Sequence, residues 1–431
     1  MAESVGLDSG SRGAGANALT VGDEPYAVQA GAQVLAAGGS AADAATAMYF
    51  ALAVTYPVAA GLGGGGICIV HDPASGQVEE FDFLARDAGG GGAFAVPGNV
   101  RGFAMMQGIY GRIPWQRDIA PGEGYAAAGF PISHALSDRL KAAQAVLRLD
   151  ALLAGEFLDE SGNAKPPGTI VRNRELAQTL AAIRTDGPNA FYRGQTGARL
   201  LAYAQQQGGN ISVQEFARYA AHRTQPQAMR LGDLTVYLPS RAVGAGAFAG
   251  TLFDTMNSAL MTPTGSNDLQ GSVAVAVRQT LAQFGVTSLP QDLGATGFAA
   301  TDSTGESVSC AVTLNGPFGA GRNVEGTGVT LAAAPGANAA GLAAAFLTPV
   351  IASNGGPAVL AGAGAGGPNG TASMGYALAR LSRGESMTRR SDLRSTGVAP
   401  FDTVNAIICQ SGTCVALPDP GGNGLGAVAT Q

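Results

Sequence analysis

The stretch DLGATGFAATDSTGESVSCAVTLNGPFGAGRNVEGTG, which runs from Asp292 to Gly328, decides the fold. Its pattern predicts two short strands joined by a turn and followed by a glycine-rich loop. Short apolar runs that are bounded by Gly, Asp and Ser are typical of strands that end in tight turns. We therefore expect this segment to contribute a pair of strands to a β-sheet.

The composition indicates a large protein with a weakly charged surface. The chain has 431 residues, of which 46% are apolar and 13% are charged, and the usual charged share is roughly 25%. This length supports one large domain or two closely packed lobes. The 65 glycines suit close packing of helices on sheets. A surface with few charges is compatible with a protein partner or a homo-oligomer.

Several classes of function are excluded by charge and hydropathy. The net charge is −6 and the basic residues are scattered, so no nucleic-acid partner is expected. No apolar run is long enough for a membrane span. Residues 1–23 lack the basic head and apolar stretch of a signal peptide, and we predict a flexible N-terminal tail there. Only one pair of the four cysteines is close in sequence and the three histidines lie far from that pair, so no zinc set is predicted. No organic cofactor is predicted either.

The four cysteines divide into one close pair and two isolated residues. Cys409 and Cys414 flank a Ser-Gly turn in CQSGTC, a spacing that can close a small disulfide loop. Two free thiols are the alternative. A disulfide indicates a periplasmic or secreted protein. Cys68 and Cys310 lie in apolar, strand-like runs, and we expect both to be unpaired core residues.

The first hundred residues alternate between helix and strand signals. Apolar spacing predicts helices over 24–37 and 41–54, and strands over 67–71 and 78–83. The glycine run at 61–66 lacks the Gly-Lys-Ser/Thr ending of a phosphate loop, so it does not predict nucleotide binding. Strands and helices alternate through the whole chain. This pattern predicts an α+β fold, an αββα four-layer sandwich of two sheets covered by helices.

The order of motifs along the chain resembles the γ-glutamyltransferase family. Ala30–Ala45 and Gly61–Gly66 are similar to the start of that family's large subunit. The resemblance implies the N-terminal-nucleophile hydrolase fold. It also implies a single domain over residues 24–431, large-subunit-like over 24–294 and small-subunit-like over 295–431. Further motifs stand in the family's order or spacing at Val96–Phe103, Tyr110–Trp115, Ala126–Ser133, Gly187–Gly194, Asp302, Gly305, Val308, Thr313, Asn315, Phe318 and Gly319.

The residue at the nucleophile position departs from the family. The family's enzymes cut their own backbone in front of a threonine, whose freed amine activates its hydroxyl for attack on a γ-glutamyl amide. Counting back from Asp302, that position holds Ala295. The neighbouring Thr296 is the alternative nucleophile. Within a strand, however, a shift of one residue turns the side chain to the other face unless a bulge resets the register.

The resemblance implies roles for six other residues. Thr313 matches the threonine that hydrogen-bonds the nucleophile, and Asn315 matches an asparagine of the glutamate site. Gly366 and Gly367, in LAGAGAGGPNG, match the loop that supplies oxyanion donors. For the arginine that binds the substrate α-carboxylate, Arg86 is the first candidate and Arg101 is the second.

Other expected features of the glutamate site are missing. The segment LAAAPGA (Leu331–Ala337) lacks the aspartate that binds the substrate amine, and Ala345 and Phe346 stand where the family has a pair of serines. Two hypotheses therefore remain. The preferred one is a non-catalytic binding or scaffold subunit that stays a single chain. The alternative is a divergent γ-glutamyltransferase or amide hydrolase, self-processed before Thr296, that acts on a γ-glutamyl or other amide small molecule.

Overall fold

The computed structural model describes residues 11–13, 18–260, 269–336, 340–394 and 399–430. Strands are numbered in chain order: β1 Ser11–Gly13, β2 Leu19–Gly22, β3 Gly65–Asp72, β4 Gln77–Asp82, β5 Arg86–Asp87, β6 Ala95–Val96, β7 Phe130–Pro131, β8 Ile170–Val171, β9 His222–Thr224, β10 Gln227–Leu231, β11 Leu234–Leu238, β12 Ala295–Thr301, β13 Ser307–Thr313, β14 Asn323–Val324, β15 Val329–Thr330, β16 Thr348–Ser353, β17 Ala358–Ala365, β18 Thr403–Gln410, β19 Thr413–Leu417 and β20 Leu425–Val428.

Fifteen α-helices alternate with these strands along the described part of the chain. They are α1 Pro25–Ala36, α2 Ala41–Thr55, α3 Asn99–Tyr110, α4 Trp115–Ala128, α5 His134–Ala142, α6 Gln144–Leu147, α7 Ala151–Phe157, α8 Arg174–Asp186, α9 Asn189–Arg193, α10 Gln195–Gln206, α11 Val213–Arg218, α12 Gly244–Leu260, α13 Leu269–Gln283, α14 Ala340–Ala345 and α15 Pro368–Ser382.

Two large antiparallel sheets form the centre of the molecule. Among the described residues, the first sheet has the order β20-β2-β12-β13-β3-β4-β9 and the second has the order β1-β19-β18-β17-β16-β11-β10. The opening stretch supplies β12 and β13, which pair from Ala295↔Thr313 to Thr301↔Ser307. The predicted strand pair is therefore confirmed, and it lies inside the first sheet rather than at its edge.

Each of the two sheets has one face covered by helices and one face packed on the other sheet, which gives four layers. One face of the first sheet packs on α1 and α2 through residues such as Phe298 and Cys310. One face of the second sheet packs on α12, α13 and α15. The other faces of the two sheets meet each other through residues such as Ala299 and Ile407. This arrangement confirms the predicted αββα sandwich.

Small residues allow these layers to approach closely. A Cβ on Gly297 would lie 2.7 Å from the Cβ of Ala363 in the second sheet, so a larger residue would push the sheets apart. The alanine-rich helix α2 is buried along its whole length. It begins with a capping box in which the Ser40 hydroxyl accepts from Asp43 N at 3.1 Å and the Asp43 carboxylate accepts from Ser40 N at 2.9 Å.

The prediction of a flexible tail over residues 1–23 is wrong for part of that range. Leu19–Gly22 forms β2, which is buried and pairs with Phe298–Thr301 of β12. Ser11–Gly13 forms β1 and pairs with β19. Four strand residues at the start of a chain carry little periodic signal, and their partners are almost three hundred residues away. No helix in the described part of the chain combines the length and apolarity that a membrane crossing needs.

Candidate active site

The side chain of Ala295 lies between the two sheets. The pairing of β12 with β13 runs without interruption, so alternate residues point to opposite faces. Ala295 shares its face with Gly297 and Ala299, and its own side chain is fully buried. The apolar side chains that pack around it are Ile67, Ala245, Ala311, Leu347, Ala363 and Ala365, with Leu84 and Val243 at the edge of the cluster. Its register partner on β13 is Thr313.

Thr296 points to the opposite face of β12, as the alternation predicts. It shares that face with Phe298, which packs against the helix layer. Thr296 is fully buried, and its hydroxyl donates to the Asp23 carboxylate at 2.7 Å. The other oxygen of Asp23 accepts from Asn405 Nδ2 at 2.8 Å. The hydroxyl of Thr296 is therefore held at the end of β2 and not among the residues around Ala295.

A buried ion pair lies beside the Ala295–Thr296 peptide. Arg139, on α5, is almost completely buried and donates from Nη1 to the Ala295 carbonyl oxygen at 2.9 Å. Its Nε donates to Asp292 Oδ2 at 3.0 Å, and Nη2 donates to Asp292 Oδ1. Sequence reasoning missed both Asp23 and Arg139. Asp23 fell in the supposed tail, and nothing in the local sequence of α5 indicates that Arg139 is buried.

Thr313 and Asn315 are brought together with the start of β12. The Thr313 hydroxyl donates to the Gly294 carbonyl at 2.7 Å and accepts from Asn315 N at 2.8 Å. The Asn315 amide donates to the Ala333 carbonyl at 2.9 Å. Both side chains are buried. Their polar atoms thus connect backbone segments, including the LAAAPGA segment, whose last residue, Ala337, lies outside the described residues.

Gly366 and Gly367 occupy the turn between β17 and α15. Gly366 has a φ of +86°, which favours glycine. A Cβ on Gly367 would lie 2.2 Å from the Asp402 carboxylate, and that carboxylate also accepts from Asn369 N at 3.0 Å. Burial raises the pKa of Asp402 to about 6. A carboxylate thus caps α15, at the helix end where a negative charge is most stable.

The two arginine candidates both contact Tyr219, Arg86 at the ring and Arg101 at the carbonyl oxygen. Arg86 is partly exposed, lies 3.8 Å from Asp82 and stacks over the Tyr219 ring at 5.0 Å. Arg101 donates to the Ala217 carbonyl at 3.0 Å and stacks over Tyr192 at 4.2 Å. Arg101 therefore anchors the chain after α11. The proposed role of Arg86 in holding a carboxylate stays a prediction.

The cysteines form two disulfides. The Cys409–Cys414 bridge, predicted from its spacing, joins β18 to β19. The expectation that Cys68 and Cys310 are unpaired is wrong, because they form a second bridge between β3 and β13. The two residues are 242 positions apart, and only the register of the first sheet places them opposite each other. Within the described residues, no group of three or more His, Cys, Asp or Glu side chains is arranged to hold a metal ion.

In the described part of the chain, two seven-stranded sheets stack face to face between helix layers, which is the architecture of an N-terminal-nucleophile hydrolase fold. Comparison with solved structures supports this class over nearly the whole chain. The cephalosporin acylase of Bacillus halodurans superposes with a TM-score of 0.73 at 17% identity, over 98% of this chain and 96% of the acylase. The γ-glutamyltranspeptidase of Helicobacter pylori gives a TM-score of 0.55 at 26% identity, over 61% of this chain and 81% of that one.

The family is established by sequence. The model of the family described as gamma-glutamyltranspeptidase, another name for γ-glutamyltransferase, matches residues 27–270. This range is more than half of the chain, which therefore belongs to that family.

Curated relatives match a similar part of the chain. Glutathione hydrolase 7 of Mus musculus is 32% identical over 214 residues, 46% of this chain and 32% of the relative. The glutathione hydrolase proenzyme of Pseudomonas aeruginosa is 33% identical over 243 residues, 50% of this chain and 42% of the relative. The acylase ACY 1 proenzyme of a Pseudomonas species is 32% identical over 244 residues, which are 51% of this chain and 43% of the relative. The chain thus spans a third to two fifths of these relatives.

Proposed function

We propose that this protein is a γ-glutamyltranspeptidase-like subunit that has lost the family's threonine chemistry, stays a single chain and serves as a binding or scaffold protein. The observation that carries the proposal is the environment of Ala295. A nucleophile needs a reactive hydroxyl and a neighbouring base, and this position has a methyl group. Ala295 is fully buried among apolar side chains. The hydroxyl of its partner across the strands, Thr313, is already bonded to backbone atoms.

Further support comes from the residues that the substrate would need. Phe346, at one of the expected serine positions, is buried and packs edge-on against Phe248 at 4.8 Å between ring centroids. The Thr313 hydroxyl is engaged with backbone atoms on both sides. The carboxylate of Asp402 beside Gly367 would oppose the negative charge of an oxyanion. Core packing, backbone hydrogen bonds and an acidic side chain thus stand at three places where the expected machinery would need other groups.

Where the protein acts and what it binds are parts of the same proposal. Two disulfides within the described residues favour a periplasmic or secreted protein, because disulfides persist in oxidising compartments. A γ-glutamyl or other amide compound is the small-molecule ligand that family membership suggests. A protein partner or a second copy of the chain is the alternative that a scaffold role requires. Copurification of a stoichiometric partner with the uncleaved chain would support the scaffold role.

The test is the mass of the purified chain under conditions that are both denaturing and reducing. Reduction is essential, because the Cys68–Cys310 bridge would keep two fragments together after a cut between Ala295 and Thr296. The proposal predicts one chain of 42.9 kDa. Two fragments, the smaller beginning at Thr296, would contradict it.

A second candidate function is an active enzyme that is self-processed before Thr296. One observation favours it. The Thr296 hydroxyl has a carboxylate acceptor at 2.7 Å, and Arg139 contacts the carbonyl oxygen of the peptide bond that would be cut, at 2.9 Å. The hydroxyl oxygen would attack the Ala295 carbonyl carbon while its proton passes to Asp23. The bond between the Ala295 carbonyl carbon and the Thr296 nitrogen would break as the nitrogen takes that proton, which leaves an ester. Water would then hydrolyse the ester to give the Ala295 carboxylate and a free hydroxyl and amine on Thr296.

Two substitutions distinguish this candidate from the preferred one. Thr296→Ser keeps the hydroxyl, and Thr296→Val keeps the shape without it. If the chain is self-processed, cleavage will persist in the serine variant and stop in the valine variant. The preferred proposal predicts a single chain for the wild type and for both variants.

A further inference from the structure

A groove of about 680 Å³ runs between α10 and the segment 209–217, which turns back along that helix. Gly197 and Gln205 both line the groove, and α10 rises about 12 Å between them at roughly 1.5 Å per residue. The volume lies within the range of small-molecule sites. None of the residues packed around Ala295 lines this groove. It is therefore separate from the candidate active site.

The walls of the groove are mostly apolar, and part of that apolar surface is exposed. Val213 lines the groove and is 66% exposed. Ala198 and Ala202, on the α10 wall, are also exposed, and Leu201 and Ile211 are half-buried. Covering such side chains removes apolar surface from water, which is favourable. A ligand that fits this groove therefore has an apolar part that lies along α10.

Positive charge collects at the end of the groove where α10 begins. Arg193 lines this end and is exposed, and within the described residues it makes no hydrogen bond or ion pair. Arg101 lies beside it. The Arg101 Nη2 donates to the carbonyl oxygen of Ala217 at 3.0 Å, and its guanidinium stacks over Tyr192 at 4.2 Å. Burial lowers the pKa of Arg101, and the charge of Arg193 also acts to lower it.

These two arginines have no acidic partner in the groove. Among the described residues that line it, none is Asp or Glu. Glu215, on α11, is engaged elsewhere, because its carboxylate accepts from Gly89 N at 2.7 Å and from Ser212 N at 3.4 Å. A cleft lined by charge of one sign attracts ligands of the opposite sign. The groove is therefore complementary to a ligand with an apolar chain and one negative end.

We propose that this groove binds a small amphipathic anion of the straight-chain carboxylate class. The apolar chain lies along α10, and the carboxylate meets Arg193. Arg101 keeps its carbonyl partners and contributes its charge. An inorganic anion would leave the apolar walls uncovered, and a cationic amphiphile would be repelled by the two arginines. This inference goes beyond the proposed scaffold role and does not rest on it, since it holds whether or not the chain is cleaved.

Calorimetric titration of the intact chain tests the proposal. The probes are hexanoate and octanoate, with octylammonium and octanol as controls that keep the octyl chain and change its charge. All are measured at the same pH and ionic strength and below micelle-forming concentrations. Octanoate is expected to bind about tenfold more tightly than either control. It should also bind about fivefold more tightly than hexanoate, because two more methylene groups leave water. Absence of octanoate binding, or equal binding of octanoate and either control, would overturn the proposal.

The charge requirement is located by Arg193→Gln. This variant is expected to bind octanoate about tenfold more weakly, at the level of octanol, because the hydrogen bond to a charged group is lost. Arg278→Gln is the matched control, since Arg278 is exposed on α13, and it should bind like the wild type. Wild-type affinity for octanoate in Arg193→Gln would contradict the assignment of the carboxylate.

The apolar wall is tested independently by Ala202→Glu, which places a negative charge inside the groove. Octanoate binding is expected to fall at least about tenfold. Ala274→Glu makes the same change at an exposed position of α13 and should leave binding unchanged. Octanoate affinity that Ala202→Glu does not alter would show that the ligand lies elsewhere.

Sedimentation of the same samples tests whether a second copy of the chain occupies the groove instead. A concentration-dependent dimer that Ala202→Glu abolishes and Ala274→Glu preserves would assign the groove to that copy and overturn the small-ligand proposal. A single species in the wild type supports it. The reduced, denatured mass of these samples reports cleavage separately, so failure of this proposal is distinguishable from failure of the proposed function.

Discussion

Residues 27–270 and residues 295–430 have diverged from the family in different ways. The first region is matched by the family's sequence model. The second shares the fold of the cephalosporin acylase, whose match covers 98% of the chain. At the position that the resemblance assigns to the nucleophile, it has Ala295. The difference teaches that the packing of the sandwich and its chemistry are separable. The layers require residues of the right size, whereas catalysis requires particular atoms at particular positions.

The two regions are nevertheless tied to each other at several points. The Cys68–Cys310 bridge joins one region to the other. The Arg139–Asp292 ion pair joins the first region to the segment that directly precedes the second. By contrast, Cys409–Cys414 lies wholly inside the second region, and the buried Asp43 and Asp118 lie wholly inside the first. Substitutions at these places, followed by measurement of the free energy of unfolding, show whether contacts between the regions or contacts inside each region contribute more to stability.

The largest expected effect is loss of the bridge between the regions. Replacing Cys68 and Cys310 together by alanine is expected to lower the free energy of unfolding by about 5 kcal/mol, because the bridge closes a very long loop. The same change at Cys409 and Cys414, five positions apart, is expected to cost about 2 kcal/mol. Urea unfolding of the two double variants measures both values. A larger loss from the short bridge would show that loop length does not govern the effect.

A somewhat smaller effect is expected at the buried ion pair. Arg139→Met leaves the Asp292 carboxylate buried without its partner, which is expected to cost about 3–5 kcal/mol in unfolding free energy. Adding Asp292→Asn removes the stranded charge and keeps the acceptor for Gly294 N, so it should restore more than half of the loss. The matched control is Arg184→Met, which breaks a more exposed pair with Glu123 and should cost less than about 1 kcal/mol. A double variant no more stable than Arg139→Met would contradict this account.

Stability should also depend on pH through the interior of the first region. Burial raises the pKa of Asp118 to about 9, and the nearby charge of Asp43 adds to the rise. Because this pKa is far above the usual value near 4 for an unfolded chain, the protonated group favours folding at low pH. Asp118 should therefore reduce stability progressively as pH rises from about 4 to about 9.

Asp118→Asn removes this titration. The variant is expected to be more stable than the wild type by roughly 2–4 kcal/mol at pH 8, and the gap should shrink towards pH 5. Thermal unfolding at the two pH values measures the gap, with Glu123→Gln as a partly exposed control. A gap that does not change with pH would show that Asp118 is not the titrating group.

The smallest effect is expected from placing a threonine at position 295, which the resemblance assigns to the nucleophile. Ala295→Thr adds two heavy atoms to a closed apolar cluster and is expected to cost about 1–3 kcal/mol, without cleavage of the chain. Ala295→Val has nearly the same shape and should cost a similar amount. Reduced, denatured mass and unfolding measurements on both variants check this. Cleavage before residue 295 in the threonine variant alone would show that the rest of the catalytic machinery is intact.

Local patterns in the sequence were sufficient for most of the fold. The strand pair at β12 and β13, the capped helix α2 and the Cys409–Cys414 bridge each depend on residues that are close in the chain. The strand β2, the bridge between Cys68 and Cys310, and the pairing of Arg139 with Asp292 were missed. Each of these depends on partners more than a hundred residues away, and no local pattern encodes such a register.

The same division holds for the candidate site. Counting from Asp302 identified Ala295, and the two-residue period of a strand placed Thr296 on the opposite face. The sequence could not indicate that the Thr296 hydroxyl would donate to Asp23 or that the Asp402 carboxylate would lie beside Gly367. It also could not indicate the polar cavity that Asp23 lines.

What the sequence determined by itself is therefore the family and the layered architecture, because these depend on residue identity and short-range periodicity. It also led to the prediction that Ala295 stands where the family has its threonine. The tertiary structure alone decided what surrounds that position. Packing of the two sheets closes an apolar cluster over Ala295 and brings Asp23, Arg394 and Thr403 to one cavity. These contacts depend on how distant strands are aligned, and that alignment is set by burial of the whole core rather than by any single segment.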